Sequence, residues 1–147
     1  MTEQAEQVKL TKLTKREETV KEDPRDLEQV MYILVNKDLK MGKGKIGAQC
    51  AHVACAVTRI LERHKPRPKY YEDWLNNGEP KVVLKATEDE MNGFIEKYPL
   101  KKSNDYWCVP IRDFGRTQVK ANSLTALAFR PTMKKLVPPA LRVLKLL

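Results

Sequence analysis

The sequence predicts a single α/β domain: a mixed four-stranded sheet with helices on both faces. Three observations predict it. Short apolar runs suited to strands alternate with stretches of helical periodicity. One run, Val30–Val35, is apolar at every position, as expected of a strand buried on both faces. The 147 residues suffice for one hydrophobic core.

Taken in order, residues 1–28 read as a disordered charged tail, with six Lys/Arg against eight Asp/Glu and few large apolar groups to offset ordering entropy. Pro24 stands near its end, and the domain occupies 29–147. Val30–Val35 is the first strand. A basic, Gly-containing loop follows from Asn36 to Gly44, then a helix from about Lys43 to His64. Its apolar stripe is Ile46, Cys50, Val53, Val57, Ile60 and Leu61. Pro66 and Pro68 end it. Tyr70–Asn77 suits a short helix stopped by Gly78 and Pro80. Lys81–Ala86 reads as a strand, and Thr87-x-x-Glu90 is a capping box opening a helix to about Tyr98. Tyr106–Ile111 and Leu124–Phe129 are the third and fourth strands, joined by a long turn without room for a helix and so expected to run antiparallel. A last helix is expected from near Thr132.

Charge is unevenly divided. The chain carries +9 in all, from 28 Lys/Arg against 19 Asp/Glu; residues 1–28 account for −2, so residues 29–147, with 22 against 11, carry +11. A body this basic attracts polyanions, nucleic acid first and an anionic membrane surface second. The membrane reading lacks an amphipathic anchor helix, and no run of 18 apolar residues exists. Cys50, Cys55 and Cys108 form no disulfide framework and no CxxC pair. A reducing compartment and no zinc cluster are expected, with Cys50 and Cys55 as core filler on their helix. The amino-terminal residues have no apolar signal core, and their acids argue against a mitochondrial presequence. The expected location is the cytoplasm.

Two segments carry chemistry. On a helix, Lys45, Gln49 and His52 fall within about 60° of one another, in a stripe bordering the apolar one. Lys43 and Lys45 occupy the first turn, where helix stability favours acids; a bound phosphate is a reason for cations there instead. The second segment follows the third strand: Asp113, able to orient a base or a water, and Thr117, able to donate to a reacting oxygen. Taken alone, Asp113 and Thr117 better suit an Asx-type turn bonding local backbone. Gly42-Lys43-Gly44-Lys45 lacks the spacing of a nucleotide-binding P-loop, and Asp113-Phe114-Gly115 lacks the other kinase motifs. His64 ends its helix as a dipole partner. No Ser-His-Asp, Cys-His or metal-ligand set emerges, so the residues point to water activation on a phosphate-bearing substrate.

Asp38 through His52, with its Lys-Met-Gly-Lys-Gly-Lys-Ile-Gly-Ala-Gln core, strongly resembles the signature helix of the archaeal/eukaryotic type 2 peptidyl-tRNA hydrolases. Gly78 through Lys85 resembles a second family motif. Arg112 through Val119 looks like the family's Asp-Ala-Gly-Arg-Thr-Gln-Ile turn, and Leu144-Lys145-Leu146-Leu147 is similar to its carboxyl end. The resemblance covers about residues 30–147. It implies a mixed four-stranded sheet, often a homodimer, and hydrolysis of the ester joining a peptide to tRNA without metal or organic cofactor. By position it implies Lys45, Gln49, His52, Asp113, Thr117 and Thr125 as the catalytic set, with Lys37, Lys40, Lys43 and Arg116 binding tRNA. The chain departs from the pattern at Phe114, where the family has a small residue, at Ala121-Asn122-Ser123 for Pro-Gly-Ser, and at Ala128-Phe129-Arg130-Pro131 for Gly-Ile-Gly-Pro. Asn122 remains able to adopt positive φ. The alternative is a tRNA- or protein-binding module of the same fold with weak or lost catalysis.

Overall fold

The computed structural model describes residues 22–114 and 119–147. The elements are β1 (Gln29–Asn36), α1 (Lys43–Glu62), α2 (Lys69–Asn76), β2 (Lys81–Ala86), α3 (Glu88–Lys97), β3 (Cys108–Arg112), β4 (Leu124–Phe129), β5 (Thr132–Met133) and α4 (Pro139–Arg142). The sheet order is β2-β1-β4-β3, with β5 also on β1. The α1–α2 crossover makes β1 and β2 parallel. β4 runs antiparallel to both β1 and β3.

The sheet has five strands where four are expected, and the helix expected near Thr132 is a strand instead. Val30 pairs with Thr132 and Ile33 with Ala128, so three steps along β1 span four along its partner. The chain therefore continues past β4 along β1, taking up one extra residue around Arg130-Pro131. The pull of the β1 edge overrides local propensity there. The last helix begins later and is short, at Pro139. The end of the expected tail is ordered: Asp23 caps a 3-10 turn at Pro24–Leu27, and Glu22 and Glu28 pair with Lys135 and Lys134. Residues 1–21 lie outside the described residues.

Alternation along β1 builds two cores. Met31 and Ile33 pack with Val53, Val57 and Leu61 of α1 and Tyr71 and Trp74 of α2. Leu34 packs on the other face with Leu84, Met91, Phe94 and Leu141. Helices thus cover both faces, and the apolar stripe of α1 lies where its periodicity puts it. Cys55 does not belong to it: its thiol side is exposed, whereas Cys50 is half-buried and Cys108 buried. The capping box forms as expected, Thr87 Oγ1 accepting from Glu90 N–H at 3.1 Å and the Glu90 carboxylate from Thr87 N–H at 3.0 Å. The carboxyl-terminal segment closes the β2 edge, with Lys85 N–H on Lys145 O at 2.9 Å and Leu147 N–H on Val83 O at 3.1 Å.

Candidate functional site

The site forms where the carboxyl end of β1, the first turns of α1 and the β3–β4 connection meet. Asn36 prepares this corner. It is 1% exposed, donates its side-chain amide to Leu124 O at 2.8 Å and accepts from Asp38 N–H at 3.0 Å. One side chain thereby ties the basic loop to the start of β4. Its signal in the sequence is an Asn closing an apolar run just before Asp, an Asx-turn pattern.

Gly42 caps α1, and no acid occupies the first turn. Lys40, in the left-handed region at φ 49°, and Lys43 are exposed beside it. Lys37 is exposed on the 3-10 turn Lys37–Leu39. Lys45 behaves differently. Its ammonium reaches inward to the Asp113 carboxylate, and the two side chains are 7% and 6% exposed. Burying two charges is tolerable because each neutralises the other. Asp113 is held by backbone as well: its N–H donates to Ser123 O at 2.9 Å, and its carbonyl accepts from Asn122 N–H at 2.7 Å. Asn122 adopts φ 66°, as expected of it.

One turn along α1 from Lys45, Gln49 meets Thr125. The Thr125 hydroxyl donates to Gln49 Oε1 at 2.6 Å, with Ile111 O at 3.3 Å as a weaker acceptor. A β-bulge makes this contact. Ile111 pairs with Ala126 and Arg112 with Leu124, so Thr125 is the extra residue. The burial pattern agrees. Ala126 and Ala128 face α1, Leu127 and Phe129 face α3, and Leu124 also faces α3 although strict alternation would send it to α1. The bulge turns Thr125 toward α1. With its carbonyl occupied by Thr125, Gln49 keeps its amide N–H groups as donors.

Lys45, Asp113, Gln49 and Thr125 are therefore brought together. His52 shares their helix face and is exposed, and its side chain makes no hydrogen bond or ion pair among the described residues. Thr117 and Arg116 lie outside the described residues. Asn36 and the bulge are the features that residue spacing missed. Among the described residues no helix is long and apolar enough to cross a membrane.

The comparisons place these residues in a family. The family described as "Peptidyl-tRNA hydrolase PTH2" matches residues 29–147. The peptidyl-tRNA hydrolase of Sulfolobus acidocaldarius is 36% identical over 122 residues, 80% of this chain and 98% of that protein. That of Methanococcus maripaludis is 36% identical over 115 residues, 78% of this chain and 96% of that protein. The bovine protein named "Peptidyl-tRNA hydrolase 2, mitochondrial" is 36% identical over 119 residues, and the match spans 81% of this chain but 64% of the relative. With the matched region spanning the whole sheet and both segments that build the cleft, the chain belongs to the type 2 peptidyl-tRNA hydrolase family.

Proposed function

We propose that this protein hydrolyses the ester linking a peptide, or an N-blocked amino acid, to the 3′-terminal ribose of tRNA. The observation that carries the reading is the buried Lys45–Asp113 pair beside the Gln49–Thr125 pair, in a chain of this family.

Asp113 orients a water and takes its proton as the water oxygen attacks the ester carbonyl. Negative charge then develops on the former carbonyl oxygen. The Gln49 amide and the Lys45 ammonium stabilise it. Collapse breaks the bond to the ribose oxygen, which recovers the proton from Asp113, releasing peptide and tRNA. Thr117 and His52 contact the water or the ribose. Lys37, Lys40, Lys43 and Arg116 hold acceptor-end phosphates, with the α1 amino-terminal dipole adding to the attraction. No step needs a metal. The free thiols support a reducing, cytoplasmic setting. The exposed Leu136, Val143, Leu146 and Leu147 support self-association as a homodimer.

Purified protein incubated with N-blocked aminoacyl-tRNA tests the reading. Ester cleavage that survives EDTA and collapses in Asp113→Ala is expected. Tight, salt-sensitive tRNA binding without cleavage would establish the binding-module alternative instead.

A further inference from the structure

Phe114 is 85% exposed, more than any other large apolar side chain among the described residues. It directly follows Asp113, whose carboxylate is 6% exposed. The carboxylate is buried against Lys45, and the ring one residue on is open to solvent.

A ring this exposed gains nothing for the fold, because its apolar surface stays in water. Two cations lie on the same connection. Arg112 is exposed, with its guanidinium donating to Asn122 O at 3.3 Å, and Lys120 is exposed on the same connection. The acid between them, Asp113, already faces Lys45. An aromatic face among cations is the arrangement that binds unpaired nucleotides, the cations taking phosphate and the ring taking a base. Two other exposed apolar residues lie elsewhere: Val143 borders Lys85 of β2, and Leu146 bridges Leu84, at the sheet edge opposite β3.

We propose that Phe114 is a specificity-determining contact, its ring stacking on the 3′-terminal nucleobase of the substrate tRNA. This rests on the reading that peptidyl-tRNA is the substrate. The nucleobase and the scissile ester share one ribose, and Asp113 and Phe114 share one peptide bond, with Cα atoms about 3.8 Å apart. Seating the base on the ring presents the ester to the carboxylate. Because the terminal adenine is common to all tRNAs, the contact selects for an intact 3′ end and is indifferent to the peptide.

Two measurements on the full chain test the proposal. In the first, Phe114→Trp supplies a solvent-facing indole, distinguishable from the native Trp74 and Trp107, which are 0% and 6% exposed. Its emission should be quenched saturably by a short RNA ending in CCA and not by the same RNA with an abasic 3′ residue. In the second, Phe114→Leu should raise KM for N-blocked aminoacyl-tRNA about tenfold with kcat little changed, while Phe114→Tyr keeps KM. On a substrate with an abasic terminal nucleoside, wild type and Phe114→Leu should match. The proposal is overturned if Phe114→Leu keeps the wild-type KM, if it loses equally on the abasic substrate, or if the Trp emission ignores the base. Quenching by CCA from a protein that cleaves nothing would sink the hydrolase reading and leave the stacking contact standing. Cleavage with neither KM nor emission responding to Phe114 would do the reverse.

Discussion

The Thr125 hydroxyl lies 2.6 Å from Gln49 Oε1, although 76 residues separate them. A strand irregularity and a helix turn meet there, and the contact occupies the carbonyl end of the Gln49 amide. Thr125 is 0% exposed, so in the proposed reaction it would aim Gln49.

Thr125→Val keeps the shape and removes the donor. It strands the Gln49 carbonyl, a change worth about 1–3 kcal/mol for a buried acceptor. The expected result is a fall in kcat/KM of roughly tenfold or more. Far-UV circular dichroism should match wild type. Unchanged turnover would show that Gln49 needs no aiming.

The Lys45–Asp113 pair makes a different prediction. Removing either partner leaves a charge in a site where both side chains are under a tenth exposed. Lys45→Met and Asp113→Asn should each abolish ester cleavage. Lys45→Met should also destabilise the fold by about 3–5 kcal/mol in urea unfolding. The double variant should recover much of that stability and none of the activity. If the two losses simply add, the pair is not coupled as its burial implies.

Lys40 and Lys43 are exposed and take part in no ion pair among the described residues. Replacing either with Gln should weaken tRNA binding and reduce the slope of log K against log salt by about one for each phosphate left without its lysine. A salt slope identical to wild type would remove that lysine from the tRNA interface. Catalysis at saturating substrate should be nearly untouched.

Thiol accessibility gives a check on the fold itself. Cys55 is exposed, while burial pushes the Cys108 thiol up to about 12. In native protein near neutral pH, Ellman's reagent should modify Cys55 rapidly and leave Cys108 untouched until denaturant is added. Rapid labelling of Cys108, tested in Cys55→Ser, would contradict the packing of α3 on β3.

Alkaline stability should fall within a definite window. Burial first, and the hydrogen bond to Glu62 at 2.6 Å second, push Tyr71 up to about 12 from an ordinary value near 10. A raised value means the folded state holds its proton more tightly. That contribution is complete below about pH 10 and disappears as pH rises through about 12. Burial raises Cys108 and Tyr106 in the same direction, so they add to the decline. Urea midpoints across this range should drop less steeply in Tyr71→Phe than in wild type.

Local patterns revealed most of the scaffold. The unbroken apolar run of β1, the α1 stripe and the Thr87–Glu90 capping box each have a physical cause within a few residues. Lys45 and Gln49 were legible as one helix face. What they face was legible only through the family resemblance: Asp113 is 68 residues away from Lys45, and no periodicity encodes that distance. Thr132–Met133 looked helical because its place beside Gln29–Val30 depends on a partner strand more than 100 residues earlier. The Thr125 bulge is invisible for a related reason: an unbroken apolar stretch carries no mark of where pairing slips.

That slip has a consequence for how the gene can change. Upstream and downstream of Thr125, the in–out phase of β4 is opposite. Deleting one codon within Leu124–Ala126 would restore a regular phase, so that either Leu124 or the Gln49 contact must leave its present side. Such a deletion should yield a protein that still pairs its strands and has lost its catalyst, a failure that point substitutions at the visible polar groups would not reproduce.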